Sequence, residues 1–351
     1  MMATPRHVLV IGASGVIGGA HIGNLAGRPG VTALALSRRP EPAPAENIRS
    51  LALDLMAPAK VDTAALAPVT EMVFAGFIET GDMASQREPN RALFDAALDL
   101  VRRYCPQLAQ VTLLQGMKAY GSHLGPFKTP AKESDPRLPG GHYYDDQADA
   151  LAAAAAAHGW RWSVLRPHVV IGAGRRSPQN LLAVLGVLAS VLKARGEPLY
   201  FPGPAAAWAP IYQATDADLL SRAIDWAAAT PSTDGEIFNI TNGDFFRWQN
   251  LWPRLAEVFE MTVDGPRDVK LVEVMADAET DWRQLTAAHG LVPNRLAEMV
   301  SWPFADYVFN TTWDVMADTL KCRRHGFLDF VDSEGMLRDR LTALRQAKIL
   351  P

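Results

Sequence analysis

The sequence predicts an α/β protein organised on a doubly wound parallel sheet. Three observations carry that expectation: an apolar, β-branched run that ends in regularly spaced glycines over residues 8–18, further strand-like runs separated by helical segments, and polar, glycine-containing stretches after those runs. Val8 to Ile11 read as a buried strand, and Gly12, Gly15 and Gly18 open a helix that continues through Ala20, Ile22 and Leu25. In that pattern the first glycine allows the tight turn, the second lets a pyrophosphate approach the backbone, and the third lets helix and strand pack closely. The unpaired amides of the helix N-terminus then favour an anion. Gly12, Ser14, Gly15, Val16, Ile17 and Gly18 are therefore the expected dinucleotide-binding turn, against the plainer reading of a glycine turn used for packing alone.

The chain of 351 residues is long enough for a large core, with 48% hydrophobic and 21% charged residues, the proportions of a globular protein. A net charge of -4 offers no basic field for nucleic acid, so that partner is not expected. Two cysteines, Cys105 and Cys322, exclude a disulfide framework and point, with no secretory signal in view, to a reducing cytoplasmic setting. No His/Cys/Asp cluster has metal-ligand spacing, and no metal is expected.

Residues 32–37 form the expected second strand, ending in Ser37, Arg38 and Arg39. An acidic residue there would bind the ribose hydroxyls of NAD, whereas arginines accommodate the extra phosphate of NADP. The sequence favours NADPH, with loop solvation as the other use of the pair. Residues 51–55 read as a third strand that places Asp54 and Leu55 by an adenine edge, although strand-end aspartates are common. The fourth runs over 72–77, its Ala75 and Gly76 suited to close cofactor contact, and a helix over 90–104 is apolar at helical spacing. The fifth strand begins at Val111 and runs into Gln115, Gly116 and Lys118, the kind of polar strand end where doubly wound sheets hold their chemistry.

Glycine turn, strand-end arginines, fifth strand and a later tyrosine together are similar to the extended short-chain dehydrogenase/reductase superfamily. Most members carry a Ser or Thr on the fifth strand and a Tyr-x-x-x-Lys on the next helix. Here Gly116 stands near the hydroxyl position, and Tyr144 is followed four residues on by Ala148. The stretch Gln115-Gly116-Met117-Lys118-Ala119-Tyr120, followed by Leu124-Gly125-Pro126-Phe127, Arg137-Leu138-Pro139 and His142-Tyr143-Tyr144, resembles the progesterone 5β-reductase/iridoid synthase-like enone reductases. The likeness continues through residues 162–167, 201–203, 206–208, 216–218, 238–244 and 325–327. It implies a Rossmann-like fold, NADPH as cofactor, a small-molecule enone as substrate, and catalytic roles for Tyr144 and Lys118. It also implies that Pro167, Val169 and Val170 face the nicotinamide. One departure is that the family's usual Asn-Phe-Tyr-Tyr reads Gly141-His142-Tyr143-Tyr144 here, which leaves Tyr143 as a secondary candidate.

In that chemistry hydride reaches the carbon β to a carbonyl, and negative charge collects on the carbonyl oxygen. Tyr144 would donate a hydrogen bond to that oxygen, and Lys118 would lower the tyrosine's pKa and add positive field. The structural alternatives are a surface lysine and a tyrosine with a buried ring. Carbonyl reduction or nucleotide-sugar epimerisation on the same scaffold, and a non-catalytic NADP-sensing module, are the competing functions.

Asp145, Asp146 and Asp149 near the start of the next helix read as acids favoured by its dipole, and the alanines at 152–157 as its body, ended by Gly159. A sixth strand is expected over 162–171, followed by a polar turn at 172–178 that includes Arg175 and Arg176. Residues 179–194 are apolar on nearly every side yet shorter than the roughly 20 residues a bilayer span needs, so a buried helix is expected, with a homodimer contact as the alternative and no membrane partner. Helices over 216–229 and 248–259 and a strand over 235–241 follow. Trp282, Trp302, Phe304, Tyr307, Phe309 and Trp313 are either core or the roof of an apolar pocket, whose shape depends on loops at 205–212 and 270–310. The expected division is a cofactor-binding domain over 5–174 with about 209–243, and a smaller, mainly helical C-terminal substrate lobe over 175–208 and 244–351.

Overall fold

Short aliphatic runs that can be buried on both faces form the sheet, as parallel strands require. The computed structural model describes residues 5–58, 60–80, 84–174 and 177–351. Strands β1 (Arg6–Ile11), β2 (Val31–Ser37), β3 (Ile48–Ala52), β4 (Glu71–Phe74), β5 (Gln110–Leu114), β6 (Arg161–Pro167) and β7 (Glu236–Ile240) make one seven-stranded sheet in the order β7-β6-β5-β4-β1-β2-β3. Every pairing in it is parallel. From β1 the chain winds outward to β2 and β3, and from β4 it winds the other way. The strand ends therefore part between β1 and β4, and a crevice opens at that switch.

Helices α1 (Val16–Leu25), α2 (Arg87–Tyr104), α3 (Tyr143–His158), α4 (Leu181–Ala194) and α5 (Ala217–Ala229) follow in order. Apolar residues of α1 and α5 pack on one face of the sheet, and those of α2 and α3 on the other. A third core joins α4 to α6 (Trp248–Phe259), α7 (Ala278–His289), α8 (Trp302–Phe309) and α9 (Ser333–Gln346).

Two glycines decide how α1 meets the sheet. Gly12 has φ +85°, and a Cβ placed on it would lie 2.5 Å from the Ala75 carbonyl oxygen, while one on Gly18 would lie 2.4 Å from the Gly12 oxygen. No side chain fits at either place. Helix α3 is nearly all alanine in its second half and ends where Gly159 turns left-handed at φ 72°. Asn180 accepts the Leu182 amide at 3.0 Å to start α4, and every residue from Leu181 to Leu192 is buried within this chain. The expected apolar helix is thus interior, and it is not available as a subunit face. Among the described residues no helix is long and apolar enough to cross a membrane.

The structure redraws three expectations. The third strand ends at Ala52, because Asp54 turns the chain by accepting the Met56 amide at 3.0 Å, so Asp54 and Leu55 lie in the loop beyond it. The fourth ends at Phe74, ahead of Ala75 and Gly76. The sixth breaks after Pro167, and Val170–Ile171 pairs instead with Thr215–Asp216. Of the polar turn expected at 172–178, Arg175 and Arg176 lie outside the described residues.

Between α1 and α5, buried His21 places Nδ1 2.8 Å from Ser221 Oγ. Burial, with the charges of Arg6 and Arg28, pushes its pKa from 6.5 down to about 4, against the opposing pull of Asp225. The folded chain thus refuses a proton that the unfolded chain accepts, and this contribution is complete above pH 6.5 and is lost as pH falls toward about 4. Thermal unfolding followed across that window should show stability falling with pH, with the slope in His21→Gln smaller by about one proton. An unchanged slope in the variant would contradict the assignment.

Candidate active site

The crevice at the sheet's C-terminal edge is a cavity of about 680 Å³. Its walls include Gly12, Ser14, Gly15, Val16, Ile17, Ser37, Arg38, Asp54, Leu55, Ala75, Gly76, Gln115, Gly116, Lys118, Tyr144, Pro167, Val169 and Val170. Two of the expected residues do not line it. Gly18 is consumed by helix–strand packing, and Arg39 is exposed beyond the wall. Phe304 and Tyr307 reach the cavity from α8, whereas Trp282 and Phe309 are buried in the third core, and Trp302 and Trp313 pack against it.

The glycine turn and the start of α1 fit a dinucleotide. Gly15 caps the helix with no side-chain hydrogen bond, which leaves its first amides facing the cavity. A Cβ built on Gly15 would meet Gly12 O at 3.4 Å and no other non-neighbouring atom, so the main chain there is open to close approach. Arg38 lines the adjoining wall.

At the other end, β5 runs out at Leu114 and a single turn, Met117–Tyr120, carries Lys118 inward before Gly121 ends it at φ 79°. The Lys118 Nζ donates to Gln86 Oε1 at 3.4 Å and lies 5.9 Å from the Phe77 ring centroid. Burial lowers its pKa from the ordinary lysine value, with Glu79 opposing.

Tyr144 sits in the first turn of α3, and local chemistry holds that turn. His142 Nδ1 accepts the Tyr144 amide at 3.2 Å, and Asp145 Oδ2 accepts the His142 amide at 3.2 Å, a reciprocal cap. An accepting Nδ1 requires a neutral ring. Burial, with the charges of His123, Lys118, Arg87 and Arg166, supplies that condition by pushing His142 down to about 3. Of the acids expected to serve the helix dipole, Asp145 serves the cap, Asp146 pairs with Arg87 at 2.8 Å, and Asp149 pairs with Arg137 at 2.6 Å.

Burial raises the Tyr144 phenol above its ordinary pKa, and the adjacent Tyr143 hydroxyl and the Arg166 charge pull the other way. The Lys118 ammonium lies near Gln86 and Phe77, and Arg166 on β6 is a second cation whose charge acts on the phenol. A Cβ on Gly116 would lie 3.5 Å from the Tyr144 hydroxyl, so Gly116 does occupy the place from which a Ser or Thr side chain would reach the phenol.

Sequence reasoning missed Arg166, His142 as a cap, Glu79 and Ser122. For Arg166 a signal existed, because an arginine inside a strand with buried neighbours is unusual unless partnered.

Residues 49–351 match the PRISE-like Rossmann-fold domain family. The chain belongs to that family. It is 31% identical over 365 residues to "(S)-8-oxocitronellyl enol synthase ISY1" of Nepeta cataria, which covers 98% of this chain and 92% of the relative. It is 30% identical to "3-oxo-Delta(4,5)-steroid 5-beta-reductase" of Arabidopsis thaliana over 98% of this chain and 92% of the relative. Among solved structures it is similar to a UDP-N-acetylglucosamine 4-epimerase from Methanobrevibacter ruminantium M1 in complex with UDP-N-acetylmuramic acid, with TM-score 0.67, 17% identity and coverage of 98% and 99% of the two chains. A UDP-glucuronic acid 4-epimerase from Bacillus cereus in complex with NAD gives 0.66, 13%, and 97% and 99%. These structures share their Rossmann fold with this PRISE-like protein, which is an enzyme of the oxidoreductase kind.

The glycine geometry separates two substitutions. Gly116→Ala should change unfolding free energy by less than about 1 kcal/mol, since the site is extended and the added methyl meets only ordinary contacts. Gly12→Ala should cost about 1–3 kcal/mol or more through overpacking on Ala75 at a left-handed φ. Urea unfolding of both variants checks this, and equal losses would contradict it.

Proposed function

We propose that this enzyme reduces the activated carbon–carbon double bond of α,β-unsaturated carbonyls with NADPH. The observation that carries the proposal is the pairing of Tyr144, a phenol held protonated by burial, with Gly116, a residue bearing no hydroxyl, on the cavity wall. Carbonyl reduction ends in an alkoxide that must take a proton, the step a Ser-Tyr-Lys relay serves. Here one member of that relay has no side chain, and the lysine comes from a different element.

Conjugate reduction makes a different demand. The negative charge appears on a carbonyl oxygen remote from the carbon receiving hydride, and a positioned donor with a nearby cation stabilises it. Tyr144 donates to that oxygen, and the Lys118 ammonium adds positive field at the cavity wall. Glu79 and Gln86 keep the ammonium in place. When bound, reduced nicotinamide supplies the hydride. The first-turn amides of α1 hold its diphosphate, Arg38 receives the additional phosphate, and Pro167, Val169 and Val170 flank the ring.

In this reading residues 5–174 with about 209–243 bind the cofactor, while 175–208 and 244–351 supply the substrate side, where Phe304 and Tyr307 give an apolar wall with one polar tip. The names of the steroid 5-beta-reductase and enol synthase relatives support a carbonyl-bearing, largely hydrocarbon substrate.

Purified enzyme mixed with NADPH and 2-cyclohexen-1-one, progesterone or citral should consume NADPH faster than NADH, and Arg38→Ala should narrow that preference by about ten- to a hundredfold. Tyr144→Phe should lower turnover about a hundred- to a thousandfold with the fold intact. Failure of every enone to elicit NADPH consumption would overturn the proposal.

A further inference from the structure

Arg166 is about 6% exposed, its neighbours Val164 and Leu165 are fully buried, and yet among the described residues no carboxylate lies within ion-pair distance of it. A guanidinium is always charged and can only donate. Its Nε donates to Gln115 Oε1 at 3.0 Å, and its Cζ lies over the Tyr120 ring, 5.1 Å from the centroid. That first bond dictates the orientation of the Gln115 amide, because only the amide oxygen can face an arginine. The amide nitrogen must then point the other way, and Gln115 Nε2 donates to the Tyr144 main-chain oxygen at 2.6 Å. Three elements are joined in this way: β6, the end of β5, and the first turn of α3.

We propose that Arg166 is a positioning residue of this site, fixing the main chain of Tyr144 through the Gln115 amide and biasing the phenol with a positive charge that no carboxylate neutralises. The inference rests on the reading of Tyr144 as the oxyanion donor. A buried charge without a counter-ion is costly, and a fold retains one where it acts on something nearby. The titratable and charged groups around the phenol are Tyr143 and His142 at its own helix end with neutral His123 packed against them, Tyr307 on α8, Glu79 after β4, Lys118 on the turn after β5, and Arg166 on β6. Of these, Tyr143, His142 and Tyr307 are neutral at neutral pH. The two cations differ in aim: Lys118 engages Gln86, and Arg166 reaches Tyr144 through Gln115.

The ionisation arm of the test reads the phenol without any substrate, so that result is independent of whether enones are turned over. A difluorotyrosine placed at position 144 brings phenol ionisation into an accessible pH range, where ultraviolet absorbance or fluorine NMR follows it in the full-length protein with NADP added. Arg166→Gln should raise the ionisation midpoint by about one pH unit or more. Lys118→Met should move it less. Gln115→Leu keeps the charge and breaks the link, so it should leave the midpoint near that of the parent while turnover of 2-cyclohexen-1-one falls at least tenfold. If Arg166→Gln does not fold, Arg166→Lys keeps a cation and loses the planar donor, and it should behave as Gln115→Leu does. A midpoint insensitive to Arg166→Gln, a larger response to Lys118→Met, or full turnover in both Gln115→Leu and Arg166→Lys would overturn the proposal.

Discussion

The contact on which the arrangement depends is the approach of Gly12 to the main chain at Ala75. It lies where β1 and β4 part company, at the one place in a doubly wound sheet where neighbouring connections leave in opposite directions. Because no side chain fits there, and none fits between Gly18 and the Gly12 carbonyl, α1 drops onto the sheet with its first amides aimed into the opening. The residues to which the proposed chemistry is assigned arrive at the same edge for the same reason. Parallel strands deliver all their C-terminal ends to one side, so Lys118 after β5, Tyr144 on the helix after it, and Pro167 at the end of β6 share a cavity despite their separation in the chain.

Burial then decides what those groups can do. A phenol removed from water keeps its proton, and a lysine removed from water holds its own less tightly. The first suits Tyr144 to the donor role proposed for it, since a phenolate would repel developing negative charge. The two histidines beside it, His123 and His142, are pushed to about 4 and about 3. They stay neutral, and His142 can therefore hold the helix start as an acceptor.

Much of this was legible in the residues. Glycine spacing announced the turn at 12–18, aliphatic runs announced the strands, and the alanine stretch closed by Gly159 announced the helix that carries Tyr144. Local signals suffice for such features because strand, turn and cap preferences act over a few residues. Strand ends were less legible. Nothing nearby in sequence reveals that Val170 and Ile171 will pair with Thr215 and Asp216, or that Asp54 will turn the chain after Ala52. The link from Arg166 through Gln115 to Tyr144 was invisible for the same reason, since it spans three elements and depends on which way one amide faces. The aromatics of the last third were undecidable from spacing. Phe304 and Tyr307 turn to the cavity, while Phe309, on the same short helix, turns to the core.

The central claim is that the cavity stabilises charge on a carbonyl oxygen while hydride goes elsewhere on the substrate, and the destination of the hydride tests it most directly. NADPH carrying deuterium at the transferable nicotinamide position, reacted with 2-cyclohexen-1-one on the enzyme, leaves a label that NMR can locate. The account predicts cyclohexanone with deuterium on the carbon β to the carbonyl. Deuterium on the carbinol carbon of an allylic alcohol would contradict it.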